Sequence, residues 1–143
     1  MRYHIKERVL SLGDDFVVRD DSGNVVYEVD GKLFHIADSF SIRDRNSGEE
    51  VAHVKQKLFA YTREYTISKD GQELATIRKR QEETMHGDLF EVASRDGMVF
   101  HIQGDFKEWD FNIVDHYGRL LGHISKEFAI LGDHYTVDTS PNV

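Results

Sequence analysis

A three-residue pattern recurs along the chain: an aromatic residue, any residue, then Val or Ile. Its six copies are Phe16–Val18, Phe40–Ile42, Tyr65–Ile67, Phe90–Val92, Phe111–Ile113 and Tyr135–Val137. The copies begin 24, 25, 25, 21 and 24 positions apart, and a fixed period of this length indicates one structural unit used repeatedly. Because residues i and i+2 of a strand share a face, each triplet predicts a strand with an apolar face and an outward middle residue.

A polar turn and a second strand follow the first five triplets. The predicted turns are Asp20–Asn24, Arg45–Gly48, Lys69–Gly71, Arg95–Gly97 and Asp115–Gly118. The second strands end in an apolar or small residue, a polar residue and an aliphatic residue: Tyr27–Val29, Ala52–Val54, Ala75–Ile77, Phe100–Ile102 and Gly122–Ile124. Asp, Asn and Gly tolerate the backbone of tight hairpin turns, so each unit reads as a hairpin.

Three stretches lie outside the repeated hairpins or are less regular than them. Tyr3 to Leu12 alternates well enough to form a first strand, Glu82 to Leu89 reads as a loop, and Lys55 to Arg63 carries a bent strand. About twelve strands joined by hairpins form a meander, and closure into a barrel removes its edges. We therefore predict an all-β antiparallel barrel formed by one domain, residues 1–143. A barrel wider than about eight strands needs something inside it.

Composition excludes several classes of protein. The chain has no cysteine, which excludes a disulfide scaffold and thiol catalysis and favours a reducing compartment. The first residues lack the apolar region of a secretory signal, and no apolar run is long enough to span a bilayer. The net charge of −8 opposes general nucleic-acid binding and adsorption to anionic membranes. We expect a cytoplasmic protein without a transmembrane segment or nucleic-acid partner.

The residues that could carry chemistry do not form a known catalytic motif. His53, His101 and His123 occupy equivalent middle positions of second strands, and we interpret them as an outward row rather than a metal site. The Asp-rich turn at Asp20–Asn24 lacks the spacing of a calcium loop. No nucleophile elbow or phosphate-binding glycine loop occurs. The sequence therefore predicts no enzyme, no cofactor and no metal.

The order of these pieces resembles the LURP-one-related family, part of the superfamily of tubby C-terminal domains and phospholipid scramblases. The resemblance runs from Met1 to about Thr139. Its segments are Met1–Tyr3 with Ile5–Glu7, Leu10–Phe16, Gly23–Asn24 leading into Val29–Lys32, Gly104–Phe106, Trp109–Phe111, Ile124–Lys126 and Asp133–Tyr135. The ordered set carries the resemblance, since no single segment is diagnostic.

This resemblance implies a tubby-like barrel of about twelve strands around a hydrophobic C-terminal helix. The chain stops at Ser140–Val143, where the family continues into that helix. Three explanations remain open. The chain is a truncated form, or its own nine Phe, six Tyr and one Trp fill a flattened barrel, or a helix from a partner or an apolar ligand fills it.

A basic set at one end of the predicted barrel suggests a ligand. Because successive strands run in opposite directions, the Asp-Gly turns lie at one end of the barrel and the remaining connections lie at the other. Two of those remaining connections are basic. The candidate binding residues are Lys55, Lys57, Arg78, Lys79 and Arg80, with Lys32, Lys107 and Lys126 expected at the same end. Asp30, Asp105, Glu108 and Glu127 lie among them, so the alternative to an anion site is an ordinary rim of mixed charge. Lys and Arg recognise phosphates, and tubby domains bind phosphoinositides. The resemblance thus implies a non-enzymatic binding module for an anionic phospholipid headgroup or another phosphorylated ligand; an alternative is an interaction scaffold that accepts a helix from a partner or a second copy.

Overall fold

The described residues of the chain form a closed barrel of twelve antiparallel strands, as the repeat predicts. The structure is a computed structural model, and it describes residues 1–7, 16–31, 39–57, 63–80, 88–105, 109–129 and 132–139. The strands are β1 (Arg2–Glu7), β2 (Phe16–Arg19), β3 (Val25–Gly31), β4 (Ser39–Asp44), β5 (Glu50–Gln56), β6 (Glu64–Lys69), β7 (Gln72–Lys79), β8 (Asp88–Ser94), β9 (Val99–Asp105), β10 (Asp110–Asp115), β11 (Leu120–Ala129) and β12 (Gly132–Thr139).

Sequence neighbours pair along the whole barrel, and β12 pairs with β1 to close it. No helix occurs among the described residues. One sequence prediction needs correction: Asp88 and Leu89 belong to β8, where they pair with Gly104 and Gln103, and not to a loop. The predicted bent segment through Leu58, Phe59 and Tyr61, and the residues after Thr139, lie outside the described residues.

The five predicted turns join the strands of the hairpins. Each contains one glycine with positive φ: Gly23, Gly48, Gly71, Gly97 and Gly118. In three turns an Asp at the strand end accepts two backbone N–H groups through its Oδ1 atom. Asp20 bonds Ser22 and Asn24, Asp44 bonds Asn46 and Ser47, and Asp115 bonds Tyr117 and Arg119. These hydrogen bonds stabilise the turns and give each of the three Asp residues a role in turn geometry.

The same irregularity of strand pairing recurs in four of the repeated hairpins. In four hairpins the pairing register shifts directly after the β-branched residue of the triplet, at Val18, Ile42, Ile67 and Ile113. Such bulges increase the local twist of a strand pair, which helps a sheet to curl. The triplet therefore marks both an apolar face and the point where the hairpin twists.

Aromatic contacts identify the apolar face as the enclosed one. Phe16 of β2 and Tyr135 of β12 flank β1, yet their ring centroids are 6.4 Å apart. Side chains from strands that are two apart converge only on the concave side of a curved sheet. The triplet aromatics thus line the interior, with Phe111 only 4% exposed, whereas Phe16, Phe40, Tyr65, Phe90 and Tyr135 are half-buried.

The outer face is less uniformly exposed than the alternation predicts. Two middle residues of triplets are buried there, Val17 at 9% exposure and Ser41 at 7%. Val17 lies between Lys6 and Glu28 in the strand pairing, and Ser41 contacts the ring of His53. Longer neighbours on adjacent strands therefore shield small residues on the outer face.

A glycine on the enclosed face generates a stability prediction. Gly104 pairs with Phe111, and a Cβ atom built on it would lie 2.6 Å from Cδ1 of that ring. We expect Gly104→Ala to lower the free energy of unfolding by about 2 kcal/mol or more, because the added methyl overpacks the site. Urea denaturation measures this change. Gln103→Ala, at an exposed neighbouring position, should change stability by less than about 0.5 kcal/mol; equal effects would contradict the packing argument.

The turn carboxylate of Asp115 generates a prediction about pH. Burial opposes ionisation of Asp115, but hydrogen bonds from the Arg119 backbone, the Arg119 guanidinium and the Tyr117 backbone outweigh it and lower its pKa. The unfolded pKa is about 3.9, so Asp115 adds stability above that pH and loses the contribution as pH falls through the lower folded pKa. We expect the urea midpoint of the wild type to fall more steeply below about pH 4 than that of Asp115→Asn. Asp70→Asn, at an exposed turn position, should follow the wild type.

Candidate functional site

The predicted cations divide between the two faces of the barrel wall. The outer face carries Lys55 of β5, Lys57 directly after β5, and Arg78 of β7, each of which alternates with residues of the enclosed face. Arg80 lies on the outer face too, because it donates to Glu91, which pairs with Arg78 on the neighbouring strand. Lys79 pairs with Phe90 of β8 and lies on the enclosed face. The structure therefore brings four of the five predicted residues to one surface and places Lys79 on the other.

A groove of about 530 Å³ lies on the outer face over β5, β6 and β7. We call it the outer groove. It is lined by His53, Lys55, Gln56, Lys57, Glu64, Thr66, Ser68, Glu73 and Thr76. The strand pairing explains this set, since Lys55 pairs with Thr66, Thr66 with Thr76, and His53 with Ser68.

Glu64 connects two of the cations around the outer groove. Its Oε1 is 3.9 Å from Nζ of Lys57, and its Oε2 is 3.8 Å from Nε of Arg78. The Glu64 side chain is only 14% exposed, whereas those of Lys57 and Arg78 are 61% and 55% exposed. Ion pairs at this distance and exposure contribute little to stability, so both cations can exchange their partner at low cost. Lys55 has no ion-pair partner within the described residues.

Arg80 lies beside this cluster but is engaged elsewhere. Its Nη1 donates to Oε2 of Glu91 at 3.1 Å, and Nε2 of His101 lies 3.9 Å from the same oxygen. The Arg80 side chain is 37% exposed. Arg80 therefore contributes less available charge to the outer groove than Lys55, Lys57 and Arg78.

His53 forms one side of the outer groove and is held by two serines. Its Nε2 lies 3.0 Å from Oγ of Ser39, and its Nδ1 lies 3.3 Å from Oγ of Ser41. Glu50 is 3.8 Å from Nδ1, which is too far for a hydrogen bond. A catalytic triad needs an acid bonded to the second ring nitrogen, and here Ser41 occupies that position.

The other two histidines of the predicted row have separate partners. His101 lies beside Glu91, and His123 lies 2.9 Å from Oδ1 of Asn112 and 2.8 Å from Oδ1 of Asp110. All three occupy the outer face at half-buried positions, in line with the strand alternation. Within the part of the chain that the structure describes, no three His, Asp or Glu side chains are arranged to hold a metal ion.

Sequence reasoning missed the contribution of Glu64 and His53 to the outer groove. A signal for Glu64 was present, because the position before Tyr65 shares the outer face with Thr66 and Ser68. The contacts of Glu64 with Lys57 and Arg78 depend on the pairing of β6 with β5 and β7. The burial of Ser39 against His53 likewise depends on the register of β4 and β5.

Comparison with known proteins supports a single family over the whole chain. The model of the family described as LURP-one-related matches residues 1–143. The chain is 26% identical over 131 residues to the Bacillus subtilis (strain 168) protein named "Uncharacterized protein YxjI", a match that covers 92% of this chain and 76% of the relative. No solved structure matches the chain. Among the described residues, no helix has the length and apolar character to cross a membrane.

Proposed function

The chain belongs to the LURP-one-related family, and on this premise we propose that its barrel is a non-enzymatic module that binds a phosphorylated ligand in the outer groove. The ligand is an anionic phospholipid headgroup or a free phosphorylated molecule, since both present the same phosphate oxygens. The observation that carries the proposal is the convergence of Lys55, Lys57 and Arg78 around one groove.

The charge of the outer groove suits a compact anion. Lys55 and Lys57 line the outer groove together with Glu64 and Glu73, and Arg78 reaches its edge through the ion pair with Glu64. Arg can bond two phosphate oxygens together, and Lys adds a mobile point charge. Glu64 holds Lys57 and Arg78 through weak, exposed ion pairs, and a phosphate can replace it as their partner.

The surrounding charge favours a local site over a broad electrostatic surface. The chain carries a net charge of −8, which repels extended anions such as nucleic acids. A groove with a local excess of cations can still accept one phosphoryl group. The His53 geometry also supports a binding role, because its two ring nitrogens face serine hydroxyls rather than a serine and an acid.

Neutralising the groove tests this proposal. We expect Lys55→Gln/Lys57→Gln/Arg78→Gln to weaken binding at least about tenfold, because each lost charge-assisted hydrogen bond contributes about 1.5–3 kcal/mol. Calorimetry with inositol hexakisphosphate measures the free ligand, and sedimentation with phosphoinositide-containing vesicles at low salt measures the lipid. Loss in only one assay identifies the source of the phosphate.

A matched variant at the other end of the barrel serves as the control. Arg45→Gln/Lys69→Gln/Arg95→Gln changes the net charge equally, and all three residues are exposed in the turns or directly beside one. It should retain binding, whereas Glu64→Gln should increase binding several-fold because it removes the competing carboxylate. Unchanged binding after neutralisation of all five predicted residues, Lys79 and Arg80 included, would contradict the proposal, as would equal losses in the groove and control variants.

A second candidate function follows from the enclosed face. Among the described residues of that face, Val18 and Phe111 are the buried apolar residues, because Val17 lies on the outer face, and no large described side chain is fully buried. The interior of a twelve-stranded barrel is wider than one filled by side chains alone. This observation favours an interaction scaffold whose interior accepts an apolar helix from a partner or a second copy.

Light scattering tests the second candidate. With a second copy as the source of the helix, the mass should rise above the 16.6 kDa of one chain as concentration increases. With a partner as the source, the chain stays monomeric but binds the dye 8-anilinonaphthalene-1-sulfonate, because the apolar lining remains accessible. A folded monomer that does not bind the dye would contradict the scaffold.

A further inference from the structure

Aromatic rings form a cage on the enclosed face at the end of the barrel opposite the glycine turns. Trp109 directly precedes β10, and its ring centroid lies 5.3 Å from that of Tyr135 on β12, with the planes inclined by 61°. Phe111 lies 6.1 Å from Trp109, nearly perpendicular to it. Phe16 lies 6.4 Å from Tyr135. We call these four residues the aromatic cage.

A cation already occupies the aromatic cage. Nζ of Lys126 lies 4.6 Å from the ring centroid of Trp109 and 5.4 Å from that of Tyr135. Lys126 pairs with Tyr135 across β11 and β12 and shares its face with Ile124, so its ammonium projects toward the interior. Both distances are within the range of cation–π attraction. The cage thus has the chemistry to hold a positive charge against the faces of two aromatic rings.

The backbone at Trp109 is held in an unfavourable conformation. Its φ is 50°, in the left-handed region that bulky residues rarely adopt. Such conformations persist where the surrounding structure fixes them, and they cluster at ligand-binding positions. Gly104 lies opposite Phe111, with no side chain between the strands, so the Phe111 ring packs closely and supports Trp109. The cage is therefore fixed by the fold and not by Lys126 alone.

We propose that the aromatic cage binds a quaternary ammonium group, which replaces the ammonium of Lys126. A primary ammonium is strongly hydrated and carries three N–H donors. A trimethylammonium group has no donors, and its methyl groups can contact several rings at once. Faces of Trp and Tyr prefer such cations. Trp109, Lys126 and Tyr135 are half-buried, so solvent reaches the site. This proposal is independent of the outer groove.

The fluorescence of Trp109 tests the proposal directly, because the chain has one tryptophan. Choline chloride should change the Trp109 emission in a saturable way at constant ionic strength. The neutral analogue 3,3-dimethyl-1-butanol has the same shape without the charge and should have little effect. Saturation-transfer NMR on the choline methyl protons provides a second readout. A matching response to the neutral analogue would show an apolar pocket and overturn the proposal.

Variants separate the cage from its present occupant. Lys126→Ala should bind choline about tenfold more tightly, since the competing ammonium is gone. Tyr135→Leu should abolish binding while retaining Trp109 as the reporter. Lys69→Ala, at an exposed position near a turn, should bind as the wild type does. Circular dichroism establishes that each variant is folded. A folded Lys126→Ala protein without a saturable response would overturn the proposal.

Vesicles distinguish a lipid headgroup from a free small molecule. If the ligand is a lipid headgroup, phosphatidylcholine vesicles should alter the emission of Trp109, and free choline should reverse that change. A response to free choline alone assigns the site to a small molecule. If neither vesicles nor free choline changed the emission of Trp109, in the wild type and in Lys126→Ala alike, the proposed quaternary ammonium site would be overturned.

Discussion

Closure of the barrel between β1 and β12 is the constraint on which the rest of the structure depends. Met1 and Thr139 are 138 positions apart in the chain, yet the Met1 ammonium donates to the Thr139 carbonyl at 2.9 Å, and the Thr139 N–H donates to the Met1 carbonyl at 2.8 Å. Beside them Arg2 donates to Asp138 at 2.6 Å, a contact that lowers the pKa of the carboxyl group. Closure leaves no unpaired edge, and it defines an inside and an outside for every residue in the strands.

The two proposed sites use opposite sides of the same wall. The outer groove collects Lys55, Lys57 and Arg78 on the convex side, where water and large ligands have access. The aromatic cage collects Trp109, Phe111 and Tyr135 on the concave side, where rings from strands two apart converge. The aromatic cage and the cations Lys55, Lys57 and Arg78 lie toward the end opposite the tight glycine turns, and the outer groove extends from there along the strands to Ser68 and Glu73.

Family membership bears on the fold of the protein, whereas side-chain geometry bears on its proposed sites. Membership in the LURP-one-related family covers residues 1–143 and agrees with an all-β barrel, but the similar Bacillus subtilis protein is itself named as uncharacterised. The two proposed sites are therefore defined by individual side chains. Glu64 illustrates this: one partly buried carboxylate positions two exposed cations, and its weak ion pairs make their charges available.

The sequence by itself determined the strands, the turns and the enclosed face, because these follow from local periodicity. The triplet at Phe111–Ile113 and the turn after Asp115 could be recognised without knowledge of any neighbour. Alternation also separates Lys79 from Arg78, since consecutive residues of a strand point to opposite faces. Only the tertiary structure decided which strands lie side by side and in which register. That register buries Ser39 and Ser41 against His53, places Asp88 and Leu89 in a strand, joins Glu64 to Lys57 and Arg78, and brings Lys126 onto two aromatic rings. The physical reason is that side-chain direction repeats within a strand, whereas contacts across strands depend on bulges and curvature that accumulate around the whole barrel.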